Sequence, residues 1–237
     1  MRPVSCLPTG FAVHQIAETG VSVIDNFCTL EEAEYLIGKA DPLLKRSKIV
    51  IENQSVEDTY RTSSTAPVFD DEHQDPKLLP LLIRASMLLG VPHTHVEQIF
   101  VTRYEAGEYY KGHEDFFPGF HGDRLYTVLI YLNDLEEGDG GGTAFDKLNL
   151  AVRPRLGRAV SWTNRNPDGV GHPETRHEAL PVAEGSVKWA IQLWFRRYPL
   201  LPFDAGLSSA ALSTLHPEPA EISELPDGVF RLPGGGS

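Results

Sequence analysis

From residue 97 to residue 198 the chain is a succession of short runs that are apolar throughout or alternate apolar with polar residues: EQIFVTRYE, YTVLIYLND, GTAFDKLNLAV, GRAVSWTN, HEALPV and SVKWAIQLWFRRY, punctuated by Gly, Pro, Asn and Asp. A period of two is the strand period, and turn residues between such runs mark their ends. Many short strands with few intervening helices argue for an antiparallel sandwich or barrel of jelly-roll type. The expected fold class is therefore mainly β with flanking helices.

The flanking helices are legible upstream. VSVID (21–25) alternates as a short strand, after which Thr29 opens T-L-E-E, a capping box with Glu32 three positions on, ahead of the helical pattern AEYLIGKA. SKIVIE (47–52) again reads as a strand, and the polar NQSVEDTYRTSSTAPV reads as a long loop. DPKLLPLLIRASMLLG has apolar positions at helical spacing, with Asp75 as N-cap, Pro76 at the first helical position and Gly90 as terminator. Both helices precede the strand-rich half and are expected to cover one sheet. The resulting division is an N-terminal extension (1–20), one domain (21–200) and a Pro, Ala, Ser and Gly-enriched tail (201–237) that reads as loosely attached.

Charge excludes some partners. With 21 Lys and Arg against 33 Asp and Glu, the formal charge of −12 opposes phosphate backbones and anionic membranes, so nucleic acid is not an expected partner. The N-terminus has no apolar stretch of signal-peptide type, and LLPLLIRASMLLGV is interrupted by Pro80 and Arg84 and falls short of a membrane span. The two cysteines, Cys6 and Cys28, form no disulfide framework and suit a reducing compartment, with the cytoplasm as the expected location. GDGGGT lacks the Gly-Lys-Ser/Thr ending of a phosphate loop.

One strand-like run carries chemistry-bearing residues. In YYKGHEDFF, His113 and Asp115 stand two apart, so in an extended segment both side chains leave the same face. Alone, a His-x-Asp pattern arises often by chance. A third donor is required, and among nine histidines His177, opening HEALPV after a polar stretch, is the best placed. Two imidazoles and a carboxylate leave coordination positions open, the pattern of non-haem Fe(II) oxygenases rather than of closed structural zinc. The rival pair His93 and His95 has no nearby carboxylate at the same period; His14 and His216 fall in terminal segments, and His121 and His172 in Gly-rich loops. A second requirement is met further on. Lys188, in SVKWAIQLWF, stands in a strand-like run, where an inward lysine is costly unless it meets an anion.

Residues 21–198 resemble the prolyl 4-hydroxylase family of 2-oxoglutarate- and Fe(II)-dependent oxygenases. The resemblance is carried by RTSS, RYEAGEYYKGHED, DRLYTVLIYLND, GGGTAF, VRPRLGRAVSW, and a histidine followed eleven positions later by lysine and then tryptophan, in family order. It implies a double-stranded β-helix (jelly-roll, cupin-like) in which His113, Asp115 and His177 bind Fe(II). It implies also that Lys188 pairs with the distal carboxylate of 2-oxoglutarate, with Tyr104 and Thr143 as hydrogen-bond partners and Tyr131 directed into the same pocket. O2 is the third reactant, and ascorbate an accessory reductant. Tyr110, Arg124 and Trp194 are implied to flank the metal as catalytic, substrate-side residues, under a loop holding Arg61.

The substrate implied by the family is a prolyl residue in a peptide or protein, and FFPGFHG and the 53–68 segment could build a groove for a polyproline-like ligand. A free amino acid or other small metabolite is the alternative. Arg196 stands where peptide-hydroxylating members tend to have histidine; it could recognise a carboxylate of a small substrate. A non-catalytic binding or sensing domain is the third reading, opposed by the intact ligand set.

Overall fold

The computed structural model describes residues 13–16, 19–51, 54–68, 75–116, 124–166, 168–199, 220–222 and 224–232. Two facing sheets make the body. The larger has nine strands in the spatial order β15 (Ala220–Ile222), β1 (Val13–Ile16), β2 (Val21–Ile24), β12 (Ala159–Thr163), β9 (Arg124–Tyr131), β14 (Lys188–Arg196), β7 (Phe100–Tyr104), β6 (Ser64–Pro67) and β3 (Lys45–Arg46). The smaller has five: β16 (Val229–Arg231), β11 (Leu150–Val152), β10 (Thr143–Phe145), β13 (His177–Ala179) and β8 (Tyr110–His113). β4 (Ile49–Ile51) and β5 (Gln54–Val56) form a separate hairpin. Among the described strands, every pairing except β1 with β15 is antiparallel. The jelly-roll reading of the sequence is met.

The central strands explain their nearly continuous apolar sequence, because both faces of the large sheet are covered. In β9, Val128 and Ile130 join the core beneath the helices, whereas Leu129 and Tyr131 join the core between the sheets. β14 divides the same way: Ile191, Leu193 and Phe195 face the helices, and Ala190 faces the small sheet. The helices α1 (Leu30–Ala40) and α2 (Leu79–Leu89) bring Ala33, Leu36, Leu81, Leu82, Ala85 and Leu88 to that outer core. Truncating any one of the buried leucines to alanine would cost about 2–5 kcal/mol.

The α1 capping box forms as expected. The Thr29 hydroxyl accepts from the Glu32 N–H at 3.2 Å, and the Glu32 carboxylate accepts from the Thr29 N–H at 2.9 Å. α2 starts later than expected. Residues 76–78 form a turn rather than helix, its Lys77 N–H held by the Asp75 carboxylate (2.9 Å) and the Leu78 and Leu79 N–H groups by the Asp75 carbonyl. Gly90 ends the helix at φ +66°, as expected.

Three expectations are corrected. The supposed polar loop after residue 52 contains β5 and β6; β6 lies next to the edge of its sheet and buries only Ala66, so it lacks the apolar stripe that announces a strand. The N-terminal extension contributes β1 to the large sheet, paired with β2. The tail contributes β15 to the large sheet and β16 to the small one, so residues 220–222 and 229–231 are not loosely attached. Short strands of three or four residues carry too little pattern to be read. No described helix is long and apolar enough to cross a membrane.

Candidate metal centre and substrate cleft

β8 and β13 pair so that His113 lies directly opposite His177, which brings together residues 64 positions apart. The register slips between His177 and Ala179, a bulge of the kind that re-aims a side chain. Asp115 lies two residues beyond His113, past the end of β8. Among the described residues, these three form the one group of potential metal donors, with their donor atoms within 4.8 Å of one another.

The hydrogen bonds prepare the imidazoles as ligands. His113 Nδ1 lies 2.9 Å from the Lys111 carbonyl and His177 Nδ1 3.0 Å from the Thr175 carbonyl. A carbonyl only accepts, so each Nδ1 carries the proton and each Nε2 presents its lone pair. Both Nε2 atoms are buried without a hydrogen-bond partner, 3.9 Å and 3.8 Å from the Asp115 oxygens. Burial, reinforced by the His177 charge, pushes His113 down to about 3, so it is neutral and able to bind a cation. Burial works against ionisation of Asp115, yet the neighbouring His177 and His113 rings, the Arg124 guanidinium and the donating Thr127 hydroxyl prevail and hold its carboxyl below the usual range. Thr127 donates to Asp115 at 2.6 Å and accepts from the Asn164 amide at 2.9 Å. Tyr110 stacks on His113 with centroids 3.6 Å apart. Gly112 is required by what crosses it: the Arg176 side chain hydrogen bonds to its carbonyl, and a Cβ there would overlap the guanidinium.

Behind the metal face lies a small cavity lined by Tyr104, Thr143, Lys188, Thr102, Gln192 and both histidines. Lys188 is 1% exposed and pairs with no carboxylate among the described residues; its ammonium sits 5.1 Å and 5.4 Å from the Tyr104 and Tyr131 ring centres. Burial pushes it down to about 7. Tyr131 backs the cavity and donates to Thr143 Oγ1 at 2.7 Å.

In front of the metal face is an open cleft of about 810 Å³, which Tyr110, Arg124 and Trp194 help to line. Arg124 makes a two-pronged ion pair with Glu97, both bonds 2.8 Å, and lies 3.9 Å over the Trp194 ring. Arg196 lies 3.9 Å from the same carboxylate. Arg61 sits 4.8 Å over Tyr110, held by the hydroxyls of Ser63 (3.1 Å) and Thr102 (3.3 Å). The rival pair does not converge: His93 and His95 lie in one helical turn, and the His95 ring bonds to the Arg196 carbonyl at 2.9 Å. His121, His216 and residues 117–122 of FFPGFHG lie outside the described residues.

Comparison with known proteins agrees with this geometry. The family model of the 2OG-Fe(II) oxygenase superfamily matches residues 99–196. Probable prolyl 4-hydroxylase 10 of Arabidopsis thaliana is 30% identical over 203 residues, covering 76% of this chain and 69% of the plant protein. Probable prolyl 4-hydroxylase 8 of the same plant is 33% identical over 199 residues, covering 73% and 67%. The chain belongs to the prolyl 4-hydroxylase family. A solved structure in the family, viral collagen prolyl hydroxylase from Paramecium Bursaria Chlorella virus-1 in complex with 2OG, superposes with a TM-score of 0.61 at 26% identity, covering 76% of this chain and 98% of the viral one. This prolyl 4-hydroxylase relative is thus a 2-oxoglutarate-dependent dioxygenase whose cofactors are Fe(II), 2-oxoglutarate and O2. The donor set fits the metal: two imidazoles with unpartnered Nε2 atoms and one carboxylate suit Fe(II) and leave positions for co-substrate.

Sequence reasoning missed Glu97, Thr127, Asn164 and Gln192. Thr127 had a signal, since it shares the strand parity of Leu129 and Tyr131 and so had to face inward as a polar residue. Gln192 shares the parity of Lys188 and lines both cavity and cleft. Glu97 and Asn164 lie outside regular strands and offered none.

Proposed function

We propose that the chain hydroxylates a C–H bond of a prolyl residue in a peptide or protein, with His113, Asp115 and His177 holding Fe(II) and Lys188 holding the distal carboxylate of 2-oxoglutarate. When bound, metal and co-substrate supply the oxidation: O2 is consumed, 2-oxoglutarate leaves as succinate and CO2, and the substrate gains one oxygen. The observation that carries the peptide reading is the open cleft. It runs outward from the metal face, flanked by Tyr110 and Trp194, and its about 810 Å³ exceeds what a free amino acid fills.

The protein's residues have separable tasks. The ammonium of Lys188 receives a carboxylate that restores its lost solvation, and the Tyr104 and Thr143 hydroxyls at the cavity wall add directional bonds. Tyr131 orients the Thr143 hydroxyl. Thr127, backed by Asn164, fixes the Asp115 carboxylate so that it presents one oxygen to the metal. Tyr110 and Trp194 supply flat surfaces for a pyrrolidine ring, and Arg124, clamped by Glu97, holds Trp194 in place. Ascorbate serves as reductant when turnover of 2-oxoglutarate runs ahead of substrate. The cytoplasm is the proposed location, supported by Cys28, a buried free thiol.

Two measurements test this. Anaerobic titration should give a weak visible charge-transfer band only with Fe(II) and 2-oxoglutarate together. Succinate formation should rise with proline-rich peptides, accompanied by a mass gain of one oxygen in the peptide. Turnover confined to free proline or other amino acids would overturn the peptide reading.

A further inference from the structure

The chain carries a formal charge of −12. Its cleft is lined nevertheless by Lys45, Arg46, Lys48, Arg61, Arg124 and Arg196, against Glu97, Glu114 and Asp115. Most of the lining's carboxylates are already engaged. Glu97 serves Arg124 and lies near Arg196, and Asp115 belongs to the metal centre. Arg46 reaches Glu108 at 3.4 Å. Among the described residues Lys45, Lys48 and Arg61 pair with no carboxylate, so within that set the lining sets three unpaired cations against the remaining Glu114.

Strand register locates this charge. Lys45 pairs with Thr65, Thr65 with Thr102, Thr102 with Ala190 and Ala190 with Tyr131, a row across β3, β6, β7, β14 and β9. Residues paired in this way project from one face. Ala190 and Tyr131 belong to the core between the sheets, so Lys45 also projects from the site face. β3 is the edge strand, three strand spacings from β14, or roughly 14 Å. At about 3.1 Å per residue, that is the span of four to five residues of polyproline II. Arg61, over the Tyr110 ring and bonded to Thr102 of β7, lines the same cleft.

We propose that the substrate is an acidic peptide: with its prolyl residue at the metal face, carboxylate side chains four or five positions away meet Lys45 and Lys48, and a nearer one meets Arg61. This rests on the prolyl-peptide reading above and adds the charge of the sequence around the target. In a protein whose remaining field repels anions, a local cationic wall selects for acidic ligands and against basic ones.

The test uses the full chain loaded anaerobically with Fe(II) and 2-oxoglutarate, and fluorescence anisotropy of labelled peptides. Three peptides share a central proline and carry Glu, Gln or Lys at the fourth and fifth positions on both sides. The Glu peptide should bind about tenfold more tightly than the Lys peptide at low salt, with the advantage shrinking as salt is raised. In the double variant Lys45→Glu, Lys48→Glu the order should invert. Both side chains are exposed, so its thermal unfolding should match the parent, which separates a charge effect from misfolding. Equal binding of the three peptides, preference for the Lys peptide, or an unchanged order in the double variant overturns the inference. Aerobic mass analysis of the Gln peptide separates the two layers: oxygen gain with no charge preference removes only the acidic class, whereas no binding or hydroxylation of any peptide removes the prolyl reading as well.

Discussion

The site-facing side of β14 begins at Lys188 and ends at Trp194 and Arg196, and its two ends are built on opposite principles. At the Lys188 end the ammonium is 1% exposed, without a carboxylate partner among the described residues, and flanked by the rings of Tyr104 and Tyr131. At the other end Arg124 and Arg196 gather around Glu97 beside an open cleft. The closed end holds an ammonium in a buried setting, so its charged form is unfavourable when the cavity is empty and favours a carboxylate ligand. The open end has Arg124 already paired with Glu97 and is ready for a variable partner. A constant co-substrate and a variable substrate call for this division.

The largest expected effect removes what both ends share. His177→Ala or His113→Ala should abolish Fe(II) binding and reduce turnover by more than about a thousandfold, measured by anaerobic metal titration and succinate release. Full metal affinity in either variant would sink the ligand assignment.

Lys188→Met should break the closed end alone. Affinity for 2-oxoglutarate should fall by about a hundredfold, the scale of a charge-assisted pair, while peptide binding to the metal-loaded chain persists. Stability should move the other way. Lys188 has its folded-state value lowered to about 7 from an ordinary 10.5. Below pH 7 the lysine is charged in both states and folding bears the whole cost of burying it. Between pH 7 and 10.5 the unfolded chain holds the proton and the folded chain does not, so stability rises with pH, and above that window the difference vanishes. Without co-substrate, Lys188→Met should therefore melt above the parent below pH 7, with the gap closing as pH rises. An equal gap across that range would show that the ammonium is not desolvated.

Thr127→Val should lower metal affinity by about tenfold through the loss of its bond to Asp115, with the peptide affinity of the metal-loaded form unchanged. Glu97→Gln should act on the open end, raising peptide KM about fivefold with 2-oxoglutarate affinity intact, since Arg124 and Arg196 lose their common carboxylate. If it weakened co-substrate as much as Lys188→Met did, the two ends would not be separable. The smallest effect should come from Thr29→Ala, which removes the α1 cap at a cost of about 1 kcal/mol in denaturant unfolding and touches neither end.

What could be read from the sequence followed from interactions local in the chain. The Thr29–Glu32 cap and the Gly90 stop depend on residues within one helical turn, and both form. The apolar runs in YTVLIYLND and SVKWAIQLWF were visible because central strands carry apolar residues on both faces. β6 and β15 escaped notice because a strand of three or four residues near or at a sheet edge has no face that must be apolar. For α2, Asp75 and Pro76 gave the right capping chemistry on a turn that precedes the helix. The family resemblance, carried by ordered motifs, named the three residues whose donor atoms come together. Their convergence is set by the β8–β13 register, a property of paired strands that neither strand encodes alone. The Arg124–Glu97–Trp194 arrangement is likewise a meeting of β9, the approach to β7, and β14.

The two C-terminal strands fasten onto different sheets, β15 beside β1 and β16 beside β11, with Val229 entering the inner core and Asp227 paired with Arg155. The end of the chain thus works as a strap over the sandwich. A version of the protein cut after residue 200 would keep every residue assigned to iron and co-substrate, yet it would bare a row of unsatisfied backbone groups on each sheet. Its first fault would be sticking to other copies of itself rather than loss of chemistry.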